Sequence, residues 1–383
     1  MDRVLLHEIC RPKQWKTISA SKLLPSGYPV YGANGKIGFY SEYTHEYPTL
    51  MITCRGATCG NVHISEPKSY INGNAMALDK LDHRRSDIRY LFYYLKHRGL
   101  GDVISGSAQP QITRQGLEKV FVPLPPLPEQ RRIAAILDKA DAIRRKRQRA
   151  IEKCEEFLRS VFLDMFGDPV TNPKGWEIQE LEFVCQKITD GEHLNPKFLS
   201  KGIPMIMAGN VLATGVTFGD VKYVGPEDAI KFRRKCNPEF GDILMVSRGA
   251  TIGRCTVVDT NKEFALMGSV ILLKPSTSKS SSAYLASLLS HPYYQRCLYK
   301  TSSASAQQAI YLTHLKKLRL PVPNINQQAK FSRLRDQIVT HRSVHELFYS
   351  RSSDVFHALT HLAFRGELTS EAADNLFKEV VAG

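Results

Sequence analysis

Apolar positions recur on alternating three- and four-residue steps along Ile133, Ile136, Ala140, Ile143, Arg147, Ala150, Cys154, Phe157 and Val161, the spacing of a helix with one apolar seam. The prolines Pro123, Pro125, Pro126 and Pro128 precede it as a stiff extended lead-in, and Gly167, Asp168 and Pro169 follow it. Together they delimit a helix over 128–166, about 58 Å long at 1.5 Å per residue. A second seam runs through Phe331, Leu334, Ile338, His341, His345, Phe348, Ser352, Val355 and Leu359, behind a lead-in PVPNINQQ that answers to PLPPLPEQ at an offset of 198. Each helix alone would leave a long apolar stripe in water. They are expected to pair with each other as an antiparallel coiled coil.

The segments before the two helices also repeat each other. LMITCRGATCGNVHI at 50–64 matches ILMVSRGATIGRCTV at 243–257, and SAQPQI at 107–112 matches SAQQAI at 305–310. Upstream, GYPVY at 27–31 matches GIPMI at 202–206 at an offset of only 175, so the second copy carries extra residues early, where GNVLATGVTFGDVKYVGPEDAIKFRRKC runs. Short strand patterns with Asn34-Gly35 as a hairpin turn, then a helix near Ser86–Lys96, then a polar loop make up each globule. The expected class is α+β. Two similar mixed α/β globules (1–127 and 167–325) are joined by two long helices (128–166 and 326–366) in an internal pseudo-twofold repeat, with an acidic tail at 367–383.

Charge narrows the partner. The net charge is +15, and the excess is shared: 16 basic against 10 acidic residues in 1–127, and 19 against 13 in 167–325. Such a distribution favours a polyanion such as nucleic acid. Eight cysteines include no C-x-x-C pair, so free thiols are expected rather than a metal or disulfide framework. No run approaches the roughly 18 apolar residues of a membrane span, and the start lacks the order of a signal peptide. A cytoplasmic protein with no membrane partner is expected.

Catalytic motifs are missing. The chain has no phosphate loop, dinucleotide fingerprint, H-E-x-x-H or nucleophile elbow. Asn172-Pro173, Asn195-Pro196 and Asn237-Pro238 each lack the second proline of the motif with which amino-group methyltransferases hold a flipped base, and fit turns instead. His193 in DGEHLNP fits a surface loop. The repeated Arg-Gly-Ala-Thr-x-Gly has two readings. Its glycines permit a tight turn that Arg55 and Arg248 merely brace, or Arg55 with Thr58 and Arg248 with Thr251 reach phosphate or guanine. The loops holding Ser107, Gln109, Gln111 and Arg114, and Ser303, Ser305, Gln307 and Gln308, are either plain solvated loops or the places where bases are read, since glutamine can bind adenine at two points. Lys36 and Arg233 complete the candidate DNA-binding set. Arg131, Arg132, Arg145, Arg149 and Glu152 lie on helix faces left free by the seam and are the candidates for docking a partner protein.

The PLPPLPEQRRIAAILDKADAIRRKRQ stretch, its VPNINQQ echo, and GYPVYGANGKIGFY with RGATCG resemble the specificity subunit of type I restriction-modification systems. The resemblance covers essentially residues 1–366. It implies two target recognition domains, each reading half of a bipartite double-stranded DNA site, on a helical spacer that holds modification subunits, two of them by analogy. Those partners carry S-adenosylmethionine and methylate adenine; a separate restriction subunit is the motor-nuclease. This chain would bind no cofactor and would not be an enzyme. A stand-alone DNA-binding regulatory or architectural protein is the alternative.

Overall fold

The computed structural model describes residues 3–33, 35–106, 109–194, 196–302 and 309–381. The chain forms two compact units, Met1–Ala150 with Val344–Gly383, and Ile151–Ser343.

In the first unit a four-stranded antiparallel sheet runs in the order Arg11–Gln14, Ala75–Asp79, Leu50–Thr53, Val62–Ile64. A second sheet is the hairpin Tyr28–Gly32/Gly35–Tyr40, extended by Tyr70–Ile71 in parallel. The hairpin follows the Asn-Gly expectation, though Asn34 itself lies outside the described residues. The apolar face of the first sheet (Leu50, Ile52, Met76, Leu78) packs on the helix Ile88–Arg98 through Tyr90, Leu91 and Leu95, all fully buried or nearly so.

The second unit repeats the plan. Its four-stranded sheet runs Cys185–Asp190, Val270–Pro275, Ile243–Val246, Cys255–Val257, and its smaller sheet runs Lys222–Val224, Ile203–Ile206, Ala265–Leu266, again with one parallel pair. The helix Ser282–Leu289 buries Tyr284 and Leu285 against Ile243, Met245, Ile271 and Leu273. The extra residues form a two-stranded hairpin, Val211–Leu212/Gly215–Val216, and the helix Pro226–Lys235.

The two long helices span Leu127–Phe166 and Ile325–Arg365. In the first unit the start of one packs on the end of the other: Ile133, Leu137 and Ala140 share a buried cluster with Val355, Leu359 and Ala363. In the second unit the relation is reversed, with Phe162 and Phe166 5.6 and 5.4 Å from Phe331. The pairing is antiparallel, as expected. Arg147, the charged member of the seam, stacks its guanidinium 4.7 Å over Phe348, which explains how a cation is tolerated there.

The seam register needs correction at three positions. Phe157 is 59% exposed and Leu334 42% exposed, and His341 is exposed, while Leu158, Phe162 and Phe166 carry the contact. A strict seven-residue count slips by about 20° per heptad on a straight helix, so by Phe157, roughly three heptads after Ile133, a side chain has moved from the seam toward solvent, whereas Leu334, next on the count after the buried Phe331, lies off the contact from the start.

The repeated proline-glutamine motif is a clamp. Gln130, fully buried, accepts a hydrogen bond from the Asp87 amide and donates to the carbonyls of Arg85 and Pro125, each at 2.8 Å. Gln328, equally buried, accepts from the Ser281 amide at 2.8 Å and donates to Lys279 O at 3.1 Å and Pro323 O at 2.8 Å. Asp87 and Ser281 are the N-caps of the two packed helices. Tyr90 and Tyr284 add hydroxyl bonds to Pro123 O at 3.0 Å and Pro321 O at 2.6 Å. The prolines therefore present their carbonyls to the globule while halting the preceding strand.

The segment expected as an acidic tail contains a helix, Ser370–Val381. Leu368 and Ala373 are buried in the first unit's core, with Leu376 and Phe377 packed against it.

Candidate nucleic-acid interface

Within each unit, the Arg-Gly-Ala-Thr-x-Gly turn caps the hairpin between the two edge-side strands of the large sheet. Gly56, Gly60, Gly249 and Gly253 have φ of +86°, +94°, +96° and +83°, a region L side chains rarely enter. Turn hydrogen bonds match one for one: Cys59 N to Gly56 O at 3.0 Å and Ile252 N to Gly249 O at 3.1 Å, Gly60 N to Thr53 O at 2.8 Å and Gly253 N to Val246 O at 2.9 Å. The structural half of the two readings is thereby accounted for by the glycines and the backbone.

The polar loop is stitched to this turn. Ile112 N donates to Cys54 O at 3.0 Å and Gly56 N to Pro110 O at 3.1 Å; in the second unit Ile310 N donates to Ser247 O at 2.9 Å. Arg55 bridges to Gln111 and Arg248 to Ala309. Arg55, Gln109, Gln111 and Arg248 are exposed. Neither the Arg55 nor the Arg248 guanidinium forms a hydrogen bond or ion pair with a described residue. An arginine left free beside an amide-bearing loop can supply charged, planar donors to phosphate or to a base edge.

Other candidates are held within the chain. Thr58 Oγ1 donates to Ala33 O at 2.9 Å, and Thr53 Oγ1 to the same carbonyl at 2.8 Å, which ties the hairpin tip to the turn. Lys36 bonds Glu66 at 3.3 Å and lies 4.8 Å over the Phe39 ring. Arg114 pairs with Glu118 at 2.8 Å. Arg233, on the inserted helix, bonds Asn237 at 2.9 Å and pairs with Glu263, none of which belongs to the turn. Thr251 is half-buried in its turn. Ser107, Ser303, Ser305, Gln307 and Gln308 lie outside the described residues. His193 bonds Asp190 at 2.6 Å, and Lys235 reaches the other oxygen of Asp190 at 2.8 Å.

One feature escapes linear inspection. A cavity of about 580 Å³ in the first unit opens beside the turn between Gly60–His63, Arg89, Lys96 and Arg145. Its cations come from two helices, Arg89 and Lys96 from Ile88–Arg98 and Arg145 from Leu127–Phe166, which only folding brings together. His63 lines it with a buried Nε2 that has no hydrogen-bond partner among the described residues. Burial, and secondarily the charge of Lys96, depress its pKa.

Of the candidate docking residues, Arg131, Arg145, Arg149 and Glu152 are exposed. Arg145 pairs with Asp141 at 2.6 Å, and Asp141 also holds Arg144 at 2.6 Å. Arg132 turns inward, paired with Glu129 at 2.7 Å and bonded to Leu368 O.

None of the eight cysteines is in a disulfide. Among the described residues no group of His, Cys, Asp or Glu is placed to hold a metal ion, and no helix is long and apolar enough to cross a membrane.

Residues 2–153 and 173–340 match the family of the type I restriction modification DNA specificity domain. The chain belongs to this family, and it is a type I restriction-modification DNA specificity subunit. A Haemophilus influenzae chain named as a type I restriction enzyme specificity subunit is 23% identical over 340 residues, covering 85% of this chain and 83% of its own. The EcoprrI specificity subunit of Escherichia coli is 31% identical over 146 residues, covering 37% of this chain and 36% of its own. In fold, the S subunit of the M. genitalium type I system aligns over 95% of this chain and 96% of its own with a TM-score of 0.65 at 16% identity.

Proposed function

We propose that each unit reads one half of a bipartite double-stranded DNA target through its arginine turn and the polar loop stitched to it, with the paired helices as the spacer. The observation that carries this is the duplicated juxtaposition: the same backbone bonds in both units bring an exposed arginine, unpaired among the described residues, beside a loop whose residues differ between the copies. A shared frame supports placement, and differing loops support differing base preferences. Specificity subunits of this family are non-catalytic. The chemistry then falls to partners: modification subunits that bind S-adenosylmethionine and methylate adenine, two per specificity subunit, and a restriction subunit that cuts. An adenine must leave the base stack to be methylated, so locating the site and transforming it are separable tasks. Arg131, Arg145, Arg149 and Glu152, exposed on the first long helix, are proposed partner contacts. Lys36, Thr58, Arg114 and Arg233 would act on DNA only by exchanging or supplementing their internal partners, and Thr251 from a half-buried place in its turn. A stand-alone regulator is not favoured, because family membership brings the subunit role with it.

The test is a domain exchange read by methylome sequencing. Replacing residues 1–122 with the equivalent globule of a relative should change one half of the methylated motif and leave the other half and the spacing intact. A motif altered in both halves, or in neither, would refute independent reading.

A further inference from the structure

The clamp glutamines fix the correspondence between the two long helices: Gln130 and Gln328 hold equivalent bonds at an offset of 198. Arg132, Ile136 and Lys139 therefore correspond to Lys330, Leu334 and Gln337. In the first unit this face is covered. Arg132 bonds Leu368 O, Lys139 lies 4.5 Å over the Phe377 ring, and Ile136, Leu376 and Phe377 pack against the same apolar cluster. The cover is the C-terminal helix, in a segment with four acidic residues and one basic, 367–383.

In the second unit the corresponding face is bare. Lys330, Arg333, Leu334 and Gln337 are all exposed, Leu334 at 42%. After the first long helix the chain leaves through Gly167 for the strand Glu177–Glu180, and no helix follows in the place that Ser370–Val381 takes after Gly366. A leucine ringed by two cations is a fit for an amphipathic helix with acidic flanks.

We propose that the Lys330–Arg333–Leu334–Gln337 face docks an acidic amphipathic helix of a partner protein, and that the chain's own C-terminal helix is the internal counterpart that occupies the equivalent first-unit face. Two matching sockets thus exist, one open and one closed by the chain itself. A partner reaching the closed one must displace the helix Ser370–Val381, so the two sites fill in order. That the partner is a modification subunit rests on the function proposed above; the docking chemistry does not.

The probe is a fluorescent peptide of residues 367–383, titrated by anisotropy with the full chain and no DNA. One saturable site is expected. Leu334→Asp, or Lys330→Glu with Arg333→Glu, should weaken it at least tenfold, and because these side chains are exposed the melting temperature should not change. Phe377→Asp should release the internal helix and raise the stoichiometry to two. Failure of the peptide to bind, undiminished binding by Leu334→Asp, or a stoichiometry that stays at one in Phe377→Asp would each overturn the proposal. Sedimentation of the full chain that shows a dimer abolished by Leu334→Asp would assign the face to a second copy and overturn the choice of a partner protein. Arg55→Ala should leave peptide binding intact, so failure of the DNA assignment and failure of this one are told apart.

Discussion

Replacing Gln130 by alanine removes a fully buried side chain that makes three hydrogen bonds of 2.8 Å. Each bond is worth about 1 kcal/mol net, and a buried group left without a partner costs about 1–3 kcal/mol more. The Pro125 carbonyl is buried and cannot recruit water easily, whereas Arg85 is exposed and its carbonyl can. The sum is roughly 3–5 kcal/mol, a large part of the 5–15 kcal/mol that holds a typical domain folded. Each unit contains one of the chain's two tryptophans, Trp15 and Trp176, so urea unfolding can be followed unit by unit in Trp176→Phe and Trp15→Phe backgrounds. Gln130→Ala should shift the Trp15 transition and Gln328→Ala the Trp176 transition. A loss below about 1 kcal/mol would refute the clamp, since it is less than even one unsatisfied carbonyl should cost. Equal shifts of both transitions would refute its local action.

Other outcomes are expected. Arg55→Ala or Arg248→Ala should weaken binding to all DNA sequences and lower the salt slope by about 1 if the contact is to phosphate, while Gln109→Ala should cost roughly 1–3 kcal/mol at one base position if it makes a two-point contact; filter binding across salt concentrations and single-base variants separates them. His97 stacks on Phe364 at 5.3 Å, and its pKa is depressed by burial, then by His361 and His357. The unfolded chain therefore takes up this proton first, and His97 should destabilise the protein as pH falls below about 6.5; His97→Gln should flatten the fall in melting temperature across that range. Burial pushes the thiols of Cys10 and Cys236 up to about 12 and that of Cys255 up to about 11. These three should resist a thiol reagent at pH 7.5 until urea unfolds the chain, and their rapid labelling in the folded protein would contradict the packing.

Legibility in the sequence followed range. The long helices could be read because a seam repeats locally many times over, yet the same count misplaced Phe157, since the small mismatch between 3.5 and 3.6 residues per turn accumulates with distance. The turn and the polar loop were each visible, but their union was not: backbone bonds join Cys54 to Ile112 across 58 positions, and backbone bonds leave no residue signature. The two-residue parallel strand Tyr70–Ile71 is too short for any periodicity. The proline-glutamine motif was conspicuous while its role was hidden, because the clamp is made to main-chain amides and carbonyls. In the terminal segment, acidic residues masked Ala373, Leu376 and Phe377, whose three- and four-residue spacing was the available helical signal.

The first and last strands of each globule lie side by side: Arg3–Leu5 pairs with Phe121–Pro123, and Glu177–Glu180 with Arg319–Val322. Everything between them is an excursion that closes on itself where the chain enters the next long helix. A hereditary exchange of the excursion need only preserve those few rungs and the clamp behind them. The second copy already illustrates the tolerance: its added hairpin and helix lengthen the excursion, yet the two closing strands still meet. A lineage could therefore trade whole globules as cassettes, acquiring a new DNA preference in one recombination event while inheriting its helical scaffold unchanged.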